Sequence, residues 1–283
     1  MMIATPAPTG RIGLLLGEAA KLPAFARRNL LEAWSYRVAF FWDIVALVFQ
    51  AITFYYIGQI VSPSALPTYG DKQVSYLEFV AVGIVVSLFL SLALVRAAAA
   101  FRDEQLTGTL EMLLMTPTAP TTIQLGLVFY DLLYLPIRTA VFFAIIMIGL
   151  DVRFEAGGVL PAAVVLVLFV PFVWGLGIIL SALTITFKKG GAAVLGSVLV
   201  LLSGAYFPIT LFPSWLSRLA ALNPMTAAID ALRETLLGGA GWSAVADASA
   251  VLVPGAVLTL TLGVIAFRLA ARRERRRGTL GLY

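Results

Sequence analysis

Apolar positions along the chain gather into six long runs, at about residues 38–60, 75–95, 123–149, 160–186, 192–209 and 249–270, with shorter polar stretches between them. The hydrocarbon core of a bilayer is about 30 Å thick, so a helix crosses it with roughly 20 apolar residues. The pattern predicts an all-α integral membrane protein of six transmembrane helices. The runs take up most of the 283 residues and leave no stretch for a sizeable soluble domain, so residues 1–283 read as a single transmembrane domain.

Three of the intervening segments carry a periodicity of their own. From residue 22 onward, Leu22, Phe25, Leu30, Trp34 and Val38 recur at helical spacing, with Arg27, Arg28 and Glu32 between them. This predicts an amphipathic helix in the membrane interface, with Trp34 and Tyr36 at headgroup level. It serves either as a topology anchor or as a lateral element that shapes a substrate route. In FRDEQLTGTLEMLLMTP, residues 101–117, Phe101, Leu106, Leu110, Leu113 and Leu114 are interleaved with Arg102, Asp103, Glu104, Gln105, Thr107, Thr109 and Glu111. A second short amphipathic helix is expected there, with a bend at Gly108 and a stop at Pro117.

The third segment, 205–248, is too polar and too broken by proline to span. Pro213 opens a first short helix holding Trp215, Leu216 and Leu219. Asn223 is placed to cap a second, with Pro224 at its first position. Ala228, Leu232 and Leu236 line one face of that helix, Asp230 and Arg233 another, and Gly238 and Gly239 end it. The two helices are expected to form a re-entrant hairpin in the outer leaflet before the last span. Irregular backbone at such depth is tolerated only beside protein or a water-filled cavity, so the hairpin should cap the outer mouth of a pathway.

Composition supports the membrane reading. The chain is 60% hydrophobic and 12% charged, where a soluble domain carries about 25% charged residues, and its mean hydropathy is +0.96. Charge then orients it. Of the 20 Lys and Arg, Lys72, Arg153, Arg218 and Arg233 fall on one side, Arg138 lies inside the third run, and the remaining fifteen fall on the other side. By the positive-inside rule both termini and the 96–122 loop are cytoplasmic. The net charge of +5 is this bias rather than a nucleic-acid footprint, and no nucleic-acid partner is expected. The basic tail RLAARRERRRGTLGLY is read as a topology determinant and anionic-lipid anchor, with contact to a partner as the alternative. The start, MMIATPAPTGRIGLLLGEAAK, has too short an apolar core for a signal peptide and is read as a retained cytoplasmic N-terminus. With no Cys, neither a disulfide framework nor a thiolate site is available. With no His, the HExxH zinc motif and any His-based triad are excluded, and no metal site is assigned.

Two segments resemble a known family. GTLEMLLMTP, preceded by RDEQ, is similar to the cytoplasmic signature of ABC-2 type transporter permeases. SGAYFP followed by FPSWL and LNPMTAAIDALR resembles that family's segment before the last span, with Ser203, Gly204, Phe207, Pro208, Pro213, Asn223, Pro224 and Arg233 at matching positions. The resemblance implies the membrane subunit of a bacterial ABC exporter in the inner membrane. It implies a dimer, most simply a homodimer, in a 2+2 complex with a cytoplasmic ATP-binding subunit that holds ATP and Mg, while this chain binds no cofactor. It also implies that the segment between the second and third spans is the coupling helix docking into that subunit, carried here by Phe101, Arg102, Glu104, Thr107, Gly108, Thr109, Leu110, Glu111 and Leu113. The chain has no GxxxxGK[ST], and FKKGGA at 187–192 has the wrong order for a phosphate cradle, so ATP hydrolysis falls to the partner.

Within the spans, Asp131 and Arg138 are seven residues apart on the third, on one face and roughly 10 Å apart along the axis, with Pro136 between them. They read as a buried pair, as contacts to neighbouring helices, or as part of the translocation path with Tyr130, Tyr206 and Phe207. Asp43 and Glu78 are expected near the interfaces, and Pro171, Gly175 and Gly177 are expected to serve packing in the fourth span. Glycan exporters of this family often show Gly, Trp and Pro entering the first span. Here Trp42 has no Gly before it and no Pro after it, which favours a drug-like or lipid-like substrate over a polysaccharide or lipid-linked glycan. A channel or structural protein without an ATPase is the reading from another class. A membrane-embedded enzyme is disfavoured, because no span holds His, Cys or a close pair of carboxylates.

Overall fold

The computed structural model describes residues 17–35, 37–91, 99, 103–104, 107–187 and 192–277. Among the described residues the architecture is all-helical, apart from one two-stranded hairpin. Helix α1 (Leu22–Ser35) leads into α2 (Arg37–Gly58). Strands β1 (Thr68–Tyr69) and β2 (Lys72–Gln73) then pair antiparallel, with Gly70 at φ +58° in the turn. There follow α3 (Tyr76–Ser91), α4 (Thr109–Met115), α5 (Pro120–Gly149), α6 (Val159–Phe187), α7 (Ala192–Leu202), α8 (Ser214–Ala221), α9 (Pro224–Leu236) and α10 (Trp242–Arg277).

Four stretches among the described residues are long and apolar enough to cross a membrane: Phe40–Gly58, Thr122–Gly149, Ala156–Leu183 and Trp242–Ala270. They correspond to the first, third, fourth and sixth runs of the sequence. The second run appears as α3, apolar but shorter, and residues 92–98 after it lie outside the described residues. The fifth run departs from expectation. Its helix, α7, ends at Leu202 after 11 residues, because Gly204 adopts φ +74° and the chain turns there. Residues 203–208 are therefore irregular backbone rather than the last two turns of a span.

Local chemistry explains the helix starts. Ser75 and Glu78 form a capping box at the head of α3. The Ser75 amide donates to Glu78 Oε2 at 2.6 Å, and the Glu78 amide donates to Ser75 Oγ at 3.3 Å. The Met225 amide donates to Asn223 Oδ1 at 3.0 Å, so Asn223 caps α9 with Pro224 behind it. Helix α5 likewise opens on a proline, Pro120.

Helix α3 is the axis of the molecule. Residues 79–86 are buried without interruption, and the main core gathers around them from α2, α5, α6, α9 and α10. Helices α6 and α10 pack closely because small residues line their seam. A Cβ on Gly175 would come within 2.5 Å of Thr259, and one on Gly263 within 2.9 Å of the Gly175 carbonyl. A smaller cluster (Ile123, Leu127, Ile178, Ala182, Phe267 and Ala270, with Phe25 and Leu113 against it) marks the end of the molecule where α1 and α4 lie. A third cluster, of Leu66, Val74, Phe79 and Leu237, marks the opposite end, under the β-hairpin.

Candidate functional sites

At the α1 end, four polar contacts join segments that are far apart in sequence. Glu18 Oε2 accepts from the Ala119 amide at 3.0 Å, satisfying a donor ahead of α5, and pairs with Lys21 at 2.5 Å. Lys21 Nζ donates to the Pro117 carbonyl at 2.6 Å. Asn29 donates to the Leu127 carbonyl at 2.9 Å, and Arg28 pairs with Glu104 at 2.5 Å. Apolar packing supports the joint. The Phe25 ring lies where a Cβ on Gly126 would stand, within 2.5 Å, so only glycine lets α1 sit this close to α5. Burial works to raise the Glu18 pKa, but hydrogen bonds from Lys21, Thr122 and Ala119 and the Lys21 charge outweigh it and hold the carboxyl below its usual range.

The charged insert meets this joint through Glu104, which accepts from Arg28 on one side and from the Thr109 hydroxyl on the other. Thr107 and Thr109 hydroxyls lie 2.8 Å apart, and Gly108 between them takes φ +72° with open space around it. The bend therefore separates residues 103–104 from α4. Leu113 turns toward Ile123 and its cluster, while Met112 and Met115 are exposed. Phe101 and Arg102 lie outside the described residues, as do the side chains of Leu110, Glu111 and Trp34, and all of Tyr36.

Arg138, past the middle of α5, pairs with Asp43 in the second turn of α2 at 2.7 Å. Of the arrangements left open for Arg138, this is the contact to a neighbouring helix, and its partner is a residue that the sequence placed near an interface. The Tyr134 hydroxyl donates to the other Asp43 oxygen at 3.3 Å, and its ring stacks on Tyr130 with centroids 6.0 Å apart. Asp131 is half-buried on the same helix. No local signal picks out Tyr134 or the pairing of Asp43 with Arg138, because that pairing depends on how two long helices align.

At the opposite end, three loops converge on α9. The Glu155 amide donates to the Leu236 carbonyl at 2.9 Å, Lys72 pairs with Glu155, and a Cβ on Gly158 would meet the Thr235 carbonyl at 1.8 Å. Tyr206 stacks on Phe54 of α2, with centroids 5.6 Å apart, and its carbonyl accepts from the Tyr76 hydroxyl at 3.3 Å. Phe207 stands beside it and is exposed. Pro208 and Pro213 flank the turn into α8, which exposes Trp215 and Leu219. Arg233 differs from expectation. The sequence put it on a separate face from the apolar stripe, yet it is 2% exposed and its guanidinium reaches the carbonyls of Phe79, Gly204 and Ala205. The i, i+3 spacing to Asp230 survives only as a 4.0 Å approach.

A family model described as ABC-2 type transporter matches residues 21–237, well over half of the chain. The match begins at Lys21 of the α1 joint and ends just after α9, so it covers the Arg233 assembly and all of the α1 joint except Glu18. No curated protein matches the chain.

Proposed function

The chain belongs to the ABC-2 type transporter family, and from that premise we propose that it is the permease subunit of an ATP-driven exporter in a bacterial inner membrane. Six spans place both termini in the cytoplasm, and α8 with α9 forms a hairpin in the outer leaflet. Two copies work together in a 2+2 complex with a cytoplasmic ATP-binding subunit, which holds ATP and Mg. The cargo is a drug-like or lipid-like amphiphile, moved outward by alternating access.

The observation that carries this reading is the joint around Glu104. A docking helix transmits force only if it is tied to the membrane helices it must move. Here Glu104 is bound both to Arg28 of α1 and to Thr109 at the head of α4, and α1 is bound in turn along the start of α5. Closure of the ATP-binding subunits would press on α4, where Met112 and Met115 are exposed, and turn α1, α4 and α5 together. ABC-2 permeases generally pair with ATP-binding subunits, which fits this arrangement.

The test is the complex reconstituted with its ATP-binding partner in proteoliposomes. Glu104→Ala and Leu110→Ala should still assemble but lose cargo-stimulated ATP turnover, by about tenfold if the coupling step is weakened by 1.4 kcal/mol. Normal pumping by both variants would remove this segment from the coupling path. A chain that never copurifies with an ATP-binding subunit would favour a channel.

A further inference from the structure

Among the described residues, Arg233 is the largest fully buried side chain. A buried guanidinium normally sits against a carboxylate. Here the nearest one, Asp230, is 4.0 Å away and about half exposed. The charge is held mainly by main-chain oxygens, with the Tyr69 side chain of β1 as a further hydrogen-bond partner. Nε and one terminal nitrogen both donate to the Phe79 carbonyl, at 3.1 and 3.0 Å. The same terminal nitrogen reaches the carbonyls of Gly204 at 3.0 Å and Ala205 at 3.2 Å. The Phe79 ring closes the site, 3.5 Å from the guanidinium carbon.

These acceptors belong to separate elements. Phe79 lies in the first turn of α3, whereas Gly204 and Ala205 follow the end of α7, where the chain turns and no further helical turn supplies N–H donors. Beside the guanidinium, α3 and the 204–205 segment touch backbone to backbone: a Cβ on Gly83 would stand 2.1 Å from the Ala205 carbonyl oxygen. No side chain lies between them to repack and absorb a sliding motion. At the other end of α9, the Asn223 side-chain Nδ2 donates to the Leu199 carbonyl at 3.1 Å. Helix α9 therefore grips the end of α7 at two points and α3 at one.

We propose that Arg233 is a positioning residue that fuses α9, the head of α3 and the 199–205 end of α7 into one mechanical unit, which stays intact while the rest of the chain rearranges. A planar fork with several fixed donors can hold two backbone segments at once, and the single ammonium of lysine cannot reproduce it. The inference uses the transport reading only for the statement that the unit survives the ATP cycle.

Hydrogen exchange on the complex in lipid nanodiscs, with and without trapped ATP–Mg, tests it. Residues 79–83, 199–205 and 225–236 should keep the same protection in both states while residues 107–119 change. Independent loss of protection in any one of the three segments in the trapped state would overturn the proposal. Arg233→Lys should lower protection in all three together, at least tenfold in exchange rate, and a loss confined to 225–236 would overturn it equally. If residues 107–119 show no change between states, the ATP-coupling reading fails, and the Arg233→Lys comparison still decides the unit. Should that variant not accumulate in the membrane, the two-state comparison of the unsubstituted protein decides it.

Discussion

The two ends of the molecule are joined in opposite ways. At the α1 end, Lys21, Glu18 and Arg28 bridge segments through side chains that are 34%, 26% and 44% exposed. At the α9 end, Arg233 bridges segments while 2% exposed, and glycines at 83 and 158 bring backbone against backbone. Water reaches the basic partners of the first joint, although Glu104 is only 12% exposed, so its ion pairs are partly screened and each contributes modestly. Around Arg233 no water replaces a lost contact, so the geometry there is held strictly, while the exposed Lys72–Glu155 pair at the same end is solvent-screened. Under the proposed function this division is mechanically sensible. On that proposal the wet joint would be where a cytoplasmic subunit pushes, and the dry one would preserve the shape of what is moved.

The contrast is open to direct attack, and the largest effect should come from the dry end. Gly83→Val would drive a side chain into the Ala205 carbonyl, which is backbone and has no rotamer to escape to. A loss of about 3 kcal/mol is expected, read as a lowered thermal midpoint of the purified protein. A midpoint within a degree of the unsubstituted chain would mean that this end yields as readily as the other. Arg28→Ala, at the wet end, should cost no more than about 1 kcal/mol by the same measurement. A loss of several kcal/mol would show that the Arg28–Glu104 pair is not solvent-screened and would erase the distinction.

The smallest expected effect is one of pH. The folded chain holds the Glu18 carboxyl below its usual range, so its contribution is present above the unfolded-state value and is lost as pH falls through the lowered folded value. Acid should loosen the contact of residues 17–30 with 117–127, seen as faster proteolysis there, while residues 225–236 stay protected. Glu18→Gln should abolish that acid dependence. An equal acid response at both ends would locate the cause elsewhere.

How far each end could be read beforehand follows the same division. The apolar runs mark the four long helices to within a few residues at most ends, because burial in lipid is written into composition and length. The exception is α10, Trp242–Arg277, which extends several residues beyond its run of 249–270 at both ends. The Asn223–Pro224 cap and the stop near Gly238 were legible because capping is settled within a few residues of chain. The shortening of α7 was not. Its apolar run continues past Leu202, and only the left-handed turn at Gly204 ends the helix.

What the sequence by itself determined is therefore the membrane class, the four long apolar spans, the Asn223–Pro224 cap and the family, all of which rest on local pattern. What only the tertiary structure decided is which polar group meets which. Arg138 found Asp43 across a helix interface. Glu18 and Arg28 reached residues about a hundred and about eighty positions away. Arg233 left its neighbour Asp230 for three carbonyls in two other segments. Such choices depend on the alignment and approach of packed helices. Periodicity along one helix says which way a residue points, and not what will be waiting there.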